Sequence, residues 1–175
     1  MINIRVEQEI DYKIVEDVIE NAFLSAEITD YQEHNLVSKL RKSSEFIPEL
    51  SLVAEVDNKI VGHILFTKIN IESNEESFES LALAPLSVLP DYQNKGIGRN
   101  LINYGLEVAK NLGYESVVVL GHEKYYPKFG FKKASEFDVK PPFEVPDEAF
   151  MALELKENGL KNVNGVVKYS NAFFE

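Results

Sequence analysis

The chain has 175 residues, 45% of them hydrophobic, enough to bury the core of one domain and too many for a disordered segment. Its 18 basic and 29 acidic side chains give a formal charge of −11, which opposes the non-specific nucleic-acid binding that cationic patches drive and would suit a cationic acceptor. Cysteine is absent, so disulfides, thiolate metal sites and a cysteine nucleophile are excluded, and no apolar run approaches the roughly 20 residues that span a bilayer.

Met1-Ile-Asn-Ile-Arg-Val alternates as a first strand and lacks the basic and apolar regions of a signal peptide, so a cytoplasmic location is expected. From Asp11 to Phe23, apolar residues at Ile14, Val15, Val18, Ile19 and Ala22 predict an amphipathic helix. A second helix is expected from Asp30, an N-cap type with Glu33 three positions on, through Leu36, Val37 and Leu40 to about Lys42. Leu50 to Val56 and Lys59 to Ile71 read as strands, and Asp57-Asn58 between them reads as a two-residue hairpin turn.

After the polar turn Ser73 to Glu76, a further strand runs from Phe78 to Leu89. Pro85 inside it cannot donate to a ladder, which predicts an unpaired or bulged edge there. Gln93-Asn94-Lys95-Gly96-Ile97-Gly98-Arg99 follows and opens a helix with Leu101, Ile102, Gly105, Leu106, Val108, Ala109 and Leu112 on one face and Gly113 as its cap. Such a turn offers backbone N–H groups to a pyrophosphate, although Gly-x-Gly before a helix also occurs as ordinary turn chemistry. It lacks the Gly-Lys-Ser/Thr ending of a P-loop, which argues against a kinase-like nucleotide site.

Ser116 to Leu120 reads as a central strand, parallel to the one before the helix. A short turn or helix near Glu123 to Phe129, a strand from Phe131, a loop through Pro141, Pro142 and Pro146, a strand Phe150 to Leu155 and an extended segment from Gly165 complete the chain. The order β-α-α-β-β-β-α-β-α-β-β describes one α/β domain, residues 1–175, with a mixed sheet. Histidines at 34, 63 and 122 have no ligand spacing, so no metal is expected; His34 and His63 read as solvent-facing or structural, and Glu123 as a solvated helix-start charge.

In the order Val88-Leu-Pro-Asp-Tyr-Gln, Gln93-x-x-Gly96-x-Gly98, helix, Tyr126-Pro-Lys-Phe-Gly130-Phe131, the chain resembles the GNAT superfamily of acetyl-coenzyme-A-dependent N-acetyltransferases over nearly its whole length. It also resembles a small bacterial branch of that superfamily through Glu33-x-x-Leu36-Val37-x-x-Leu40-Arg41, Leu120-Gly-His-x-x-Tyr-Tyr126, Pro146-x-x-Ala149-Phe150-Met151 and Gly165-x-Val-x-Tyr169-x-x-Ala172-Phe173.

The resemblance implies a GNAT fold: a mixed twisted sheet flanked by helices, its fourth and fifth strands splayed to hold acetyl-CoA. It further implies main-chain contacts from Leu86, Ser87 and Val88 to pantetheine, and a pyrophosphate held by Gln93, Asn94, Lys95, Gly96, Ile97, Gly98 and Arg99. Tyr126 falls at the family's tyrosine position as general acid, or packs beside Tyr125, Phe129 and Phe131. His122 is a candidate base, or a structural histidine ending a strand. Glu33 is a candidate for binding the ammonium or relaying its proton, or forms the capping box of its helix. Many relatives place an asparagine after the fifth strand where this chain has Gly121-His122-Glu123, leaving that pantetheine contact unassigned.

The implied function is acetyl transfer to a primary amine of a small molecule or peptide by direct attack, in a homodimer suggested by the fold and the apolar tail Ala172-Phe173-Phe174. The alternative is a catalytically silent acyl-CoA-binding or regulatory module. The loops around Leu24 to Thr29 and Pro141 to Pro146, expected to choose the acceptor, carry no transferable signature.

Overall fold

The computed structural model describes residues 1–24, 26 and 29–174. Among them are nine strands: β1 (Ile2–Val6), β2 (Phe46–Val56), β3 (Lys59–Glu72), β4 (Ser77–Val88), β5 (Ser116–Leu120), β6 (Lys132–Lys133), β7 (Val139–Lys140), β8 (Phe150–Glu154) and β9 (Gly165–Lys168). The α-helices are α1 (Tyr12–Phe23), α2 (Glu33–Arg41) and α3 (Ile97–Asn111). The strands form one mixed sheet in the order β1-β2-β3-β4-β5-β8-β6, with β9 pairing β3 and β7. β4 with β5 and β7 with β9 are parallel. Three residues of the Leu24 to Thr29 loop, 25, 27 and 28, lie outside the described residues.

The first of two compact units takes in Met1–Thr67, Ala84–Val108 and Asn171–Glu175. Its β2 and β3 form the expected hairpin: Val56 pairs with Lys59, and Asp57 and Asn58 both take left-handed φ, 50° and 63°, as a two-residue turn matched to strand twist requires. Side chains alternate along β3, and the two faces take different helices. Leu65 joins Val15, Val18 and Ile19 of α1, Val37 and Leu40 of α2 and Val53 of β2 in one buried cluster. On the other face a Cβ on Gly105 of α3 would lie 2.3 Å from the Phe66 ring, so a glycine is what lets α3 approach β3 so closely.

The second unit takes in Lys68–Leu83 and Ala109–Ser170. Ile69 and Ile71 of β3, Ala82 of β4, Val118 of β5, Phe150 and Ala152 of β8 and Val167 of β9 are buried together. β5 is buried from Ser116 to Val119, as its apolar run predicts, but its last residue, Leu120, is exposed.

Some expectations need correction. α2 starts at Glu33 instead of Asp30, because the Asp30 carboxylate accepts the Gln32 N–H and Thr29 donates to Glu33; these local bonds form a turn in place of the capping box. Ile14 in α1 and Leu112, just past the end of α3, both placed on apolar faces by periodicity, are exposed where the cores do not reach. The segment after β5 is a 3-10 turn over Tyr126–Phe129, and β6 begins at Lys132. β2 starts earlier than expected, at Phe46. Ala172 and Phe173 pack into the α1/α2 cluster, so the chain's own core takes up most of the apolar tail.

A group of charges is buried in the first unit. The Glu7 side chain, 2% exposed, accepts from Arg41 Nε and Nη2 at 3.0 and 2.9 Å, and Arg41 Nη1 donates to Glu16 at 2.9 Å. The guanidinium lies 4.0 Å from the centroid of the Tyr12 ring. Ser51 Oγ is 2.6 Å from Glu7 Oε1 and 2.9 Å from His63 Nε2. Burial is the main cause that lowers the His63 pKa from 6.5 to about 4, with Glu7 opposing and Arg41 assisting.

Between those two values the unfolded chain binds a proton that the folded chain refuses, so stability falls as pH drops from about 6.5 towards 4. The full loss is on the order of 3 kcal/mol. Urea unfolding at intervals from pH 7 to 5 checks it: stability falls across this window, and His63→Gln removes most of the slope. A flat profile above pH 5 would contradict the buried neutral imidazole.

Candidate active site

In the first unit, β4 leads into the glycine turn. Its parallel partnership with β5 covers Leu81 with Val117 and Ala82 with Val118, ahead of Pro85. Beyond Pro85 the strand runs on through Leu86, Ser87 and Val88 with no further partner residue on β5 among the described residues, the interruption that the proline predicts. Leu86 and Val88 are half-buried; Ser87 is buried, and its hydroxyl has no hydrogen-bond partner among the described residues.

The turn folds back on this strand. Gln93 Nε2 donates to the Val88 carbonyl at 3.1 Å, and Asn94 and Gly96 take left-handed φ of 61° and 84°. Two left-handed positions one residue apart curl the chain so that successive N–H groups face a common concavity. The first bond of α3 is from Asn100 N–H to the Gly96 carbonyl, 3.0 Å, so the amides of Ile97, Gly98 and Arg99 have no acceptor within the helix. Lys95 and Arg99 are exposed beside them. This donor set, at the positive end of a fifteen-residue helix, fits a pyrophosphate.

One residue that the sequence did not single out belongs here. Lys59 Nζ lies 5.6 Å from the centroid of the Tyr92 ring, and Lys95 Nζ lies at the same distance from that ring. Lys59 adds positive charge beside the turn, and only the hairpin fold brings it there. Glu33, also in this unit, accepts from Thr29 Oγ1 at 2.8 and 2.6 Å and is half-buried at the start of α2. His34 reaches across to Glu20 of α1 at 3.3 Å, and the wholly buried His63 belongs to the charge cluster.

In the second unit, Tyr126 is buried, with Tyr125 and Phe131 edge-on at ring centroid distances of 5.2 and 5.8 Å. Burial, with a smaller contribution from Tyr125, pushes its phenol well above the usual value near 10, so the side chain stays protonated as a donor. His122 is exposed just after β5, and its carbonyl accepts the N–H groups of Tyr125 and Tyr126 at 3.1 and 3.4 Å. Its main chain therefore holds the turn that carries Tyr126. A Cβ on Gly121 would lie 2.4 Å from the Tyr126 ring, so the glycine makes room for it. Among the described residues no group of three His, Asp or Glu side chains is gathered as for a metal ion, and no helix is long and apolar enough to cross a membrane.

Residues 17–131 match the model of the Acetyltransferase (GNAT) family. The chain belongs to that family. It is 31% identical over 171 residues to the uncharacterized N-acetyltransferase YhbS of Escherichia coli (strain K12), covering 97% of each chain. It is 40% identical over 118 residues to the uncharacterized N-acetyltransferase YjhQ of the same organism; that match spans 67% of this chain and 65% of the relative, just under two thirds of its length.

Among solved structures, YhbS from Escherichia coli in complex with CoA superposes with a TM-score of 0.89 at 30% identity, covering 99% of this chain and 92% of that one. A GNAT family acetyltransferase from Brucella melitensis in complex with acetyl-CoA gives 0.81 at 32% identity, covering 99% and 98%. The fold expected from the paired motifs is therefore the fold observed.

Replacing Gly121 by valine must displace the Tyr126 ring. Gly121→Val is expected to relax the buried tyrosine, seen as a rise in its accessibility to tetranitromethane and a lower melting temperature. Unchanged nitration would mean that the ring is not held by this contact.

Proposed function

We propose that this chain transfers the acetyl group of acetyl-CoA to a primary amine of a small molecule or peptide by direct attack, with residues 1–175 acting as one N-acetyltransferase domain. The observation that carries the reading is the turn from Gln93 to Arg99, in which two left-handed residues and the free first-turn amides of α3 form a pyrophosphate cradle directly after an interrupted strand. The relatives' complexes with CoA and acetyl-CoA support the choice of donor.

Acetyl-CoA supplies a thioester whose carbonyl carbon accepts the amine; the C–N bond forms as the C–S bond breaks, with no enzyme nucleophile. The chain binds and orients. Gln93, Asn94, Lys95, Gly96, Ile97, Gly98 and Arg99 hold the pyrophosphate, and the main chain of Leu86, Ser87 and Val88 pairs with the pantetheine arm as an added strand would. The Val88 N–H polarises the reacting carbonyl. Tyr126 gives its proton to the departing sulfur, whose thiol has a pKa of about 8.5. The ammonium proton, from a group with a pKa of about 10.4, leaves through His122 or through Glu33 by way of water. Glu33 and the acidic surface attract a cationic acceptor.

Thiol release from acetyl-CoA, measured against polyamines, aminoglycosides, amino acids and N-terminal peptides, tests the reading. At least one class is expected to accelerate release and to gain an acetyl group by mass spectrometry. Binding of acetyl-CoA with neither transfer nor slow hydrolysis would favour a silent acyl-CoA-binding module instead. With the best amine in hand, Tyr126→Phe is expected to lower kcat by about 10² to 10⁴, as loss of a general acid does, while leaving acetyl-CoA affinity within about twofold. Full turnover in that variant at saturating acetyl-CoA would remove Tyr126 from the chemistry.

A further inference from the structure

Among the described residues four buried side-chain atoms have no hydrogen-bond partner: Nδ1 of His34, Nδ1 of His63 and Oγ1 of Thr67 on β3, and Oγ of Ser87 on β4; His63 and Ser87 lie on adjacent strands. Buried polar groups left unpaired are rare, because each costs the full desolvation of the group. The bonds on the other side of His63 determine what Nδ1 must be. Glu7 is ionised against Arg41, which donates to both of its oxygens, and a carboxylate only accepts. The Ser51 hydroxyl, 2.6 Å from Glu7, therefore donates to it and presents a lone pair to His63 Nε2 at 2.9 Å. That nitrogen must carry the hydrogen, and in the neutral imidazole Nδ1 is left as a bare acceptor.

Ser87 is the neighbour that can answer it. Leu89 N–H donates to the Val61 carbonyl at 2.8 Å; Val61 lies at the register shift of β3 against β2, and a pairing that continues regularly from it towards β4 sets Ser87 beside His63. The strands touch at that point, since the Ser87 carbonyl lies 3.1 Å from where a Cβ on Gly62 would sit. Gly62 faces Leu101 and Ile97 of α3. His63, by alternation, faces away with Leu65, and the register puts the Ser87 side chain on that same face. The two atoms lie beyond direct hydrogen-bond reach of one another, yet each needs a partner and each is shut away from solvent.

We propose that one buried water joins Ser87 Oγ to His63 Nδ1, and that through it His63 positions the Leu86 to Val88 segment for acetyl-CoA. The water donates to Nδ1 and accepts from the Ser87 hydroxyl, which meets the minimum of two polar partners for a buried water. The result is a continuous polar row from Arg41 of α2 through Glu7, Ser51 and His63 to Ser87 of β4, crossing three neighbouring strands. His63 is a positioning residue here, acting through Ser87. The claim about acetyl-CoA rests on the function proposed above; the claim about the water does not.

Long-range proton–nitrogen NMR on protein labelled with nitrogen-15 histidine reads the tautomer. His63 is expected with hydrogen on Nε2 and a hydrogen-bonded Nδ1 whose resonance moves in Ser87→Ala. Calorimetry with acetyl-CoA reads the consequence. Ser87→Ala removes one end of the link, and His63→Gln keeps a donor for Ser51 while leaving nothing at the Nδ1 position. Each is expected to weaken acetyl-CoA binding by about tenfold, the worth of one buried hydrogen bond, and the double variant no further.

A residue that serves only stability would lower the melting temperature and leave the affinity of the folded protein unchanged. Hydrogen on Nδ1, an Nδ1 resonance indifferent to Ser87→Ala, or a hundredfold loss in the double variant would each overturn the link. An unaltered chain that shows the expected NMR pattern but does not bind acetyl-CoA would uphold the water link and overturn the acetyltransferase reading.

Discussion

A carboxylate shut inside the first unit constrains much of what surrounds it. Glu7, just after β1, is stable as an anion only because Arg41 meets it with two donors and Ser51 with a third. Leaving such a charge unpaired costs about 3–5 kcal/mol, a large share of the net stability of a domain. Arg41 ends α2, Glu16 and Tyr12 on α1 engage the same guanidinium, and Ser51 and His63 bring in β2 and β3. Apolar packing of Val15, Val37, Val53 and Leu65 drives the same elements together, but hydrophobic contact is non-directional. The charge cluster adds direction, fixing which turn of α2 meets which residue of β3.

That frame holds β4 and the glycine turn, proposed above as the binding site of the acetyl donor. β4 loses its partner on β5 after Ala82 and continues alone to the turn where Asn94 and Gly96 bend the chain into α3. The broken pairing and the curled turn are two physical devices with one proposed use. Unpaired strand backbone accepts an extended amide-bearing arm, and a helix start accepts its phosphates. The second unit, taken by itself, has a tyrosine held by an aromatic surround and by the missing side chain of Gly121. Its burial keeps the phenol protonated.

Sequence reveals features set by neighbours along the chain and misses those set across space. The Asp57-Asn58 hairpin, the central run of β5 and the stripe of α3 obey local rules, and all three were legible, apart from the exposed ends at Leu120 and Leu112 where periodicity outruns the core. The start of α2 was misread because Thr29 and Asp30 side chains compete with the helix for backbone groups and for Glu33, a contest that spacing does not decide. β7, two residues long and paired in parallel with β9, is too short to leave any period. The Glu7 to Arg41 contact spans 34 residues, and His63 looked like any other strand residue until its partners were in place. In the candidate site the glycine turn announced itself, since left-handed geometry selects for glycine and asparagine; Lys59 did not, because its place beside Tyr92 is a product of the hairpin fold.

The most direct test of the account is where acetyl-CoA touches this chain. Backbone amide shifts followed by NMR during titration with acetyl-CoA should move first and most at Leu86 to Val88 and at Gln93 to Arg99, with Asn94 and Gly96 among the largest. Shifts gathered elsewhere with that turn undisturbed, or no shifts at millimolar acetyl-CoA, would contradict the assignment of the turn as the donor's pyrophosphate cradle.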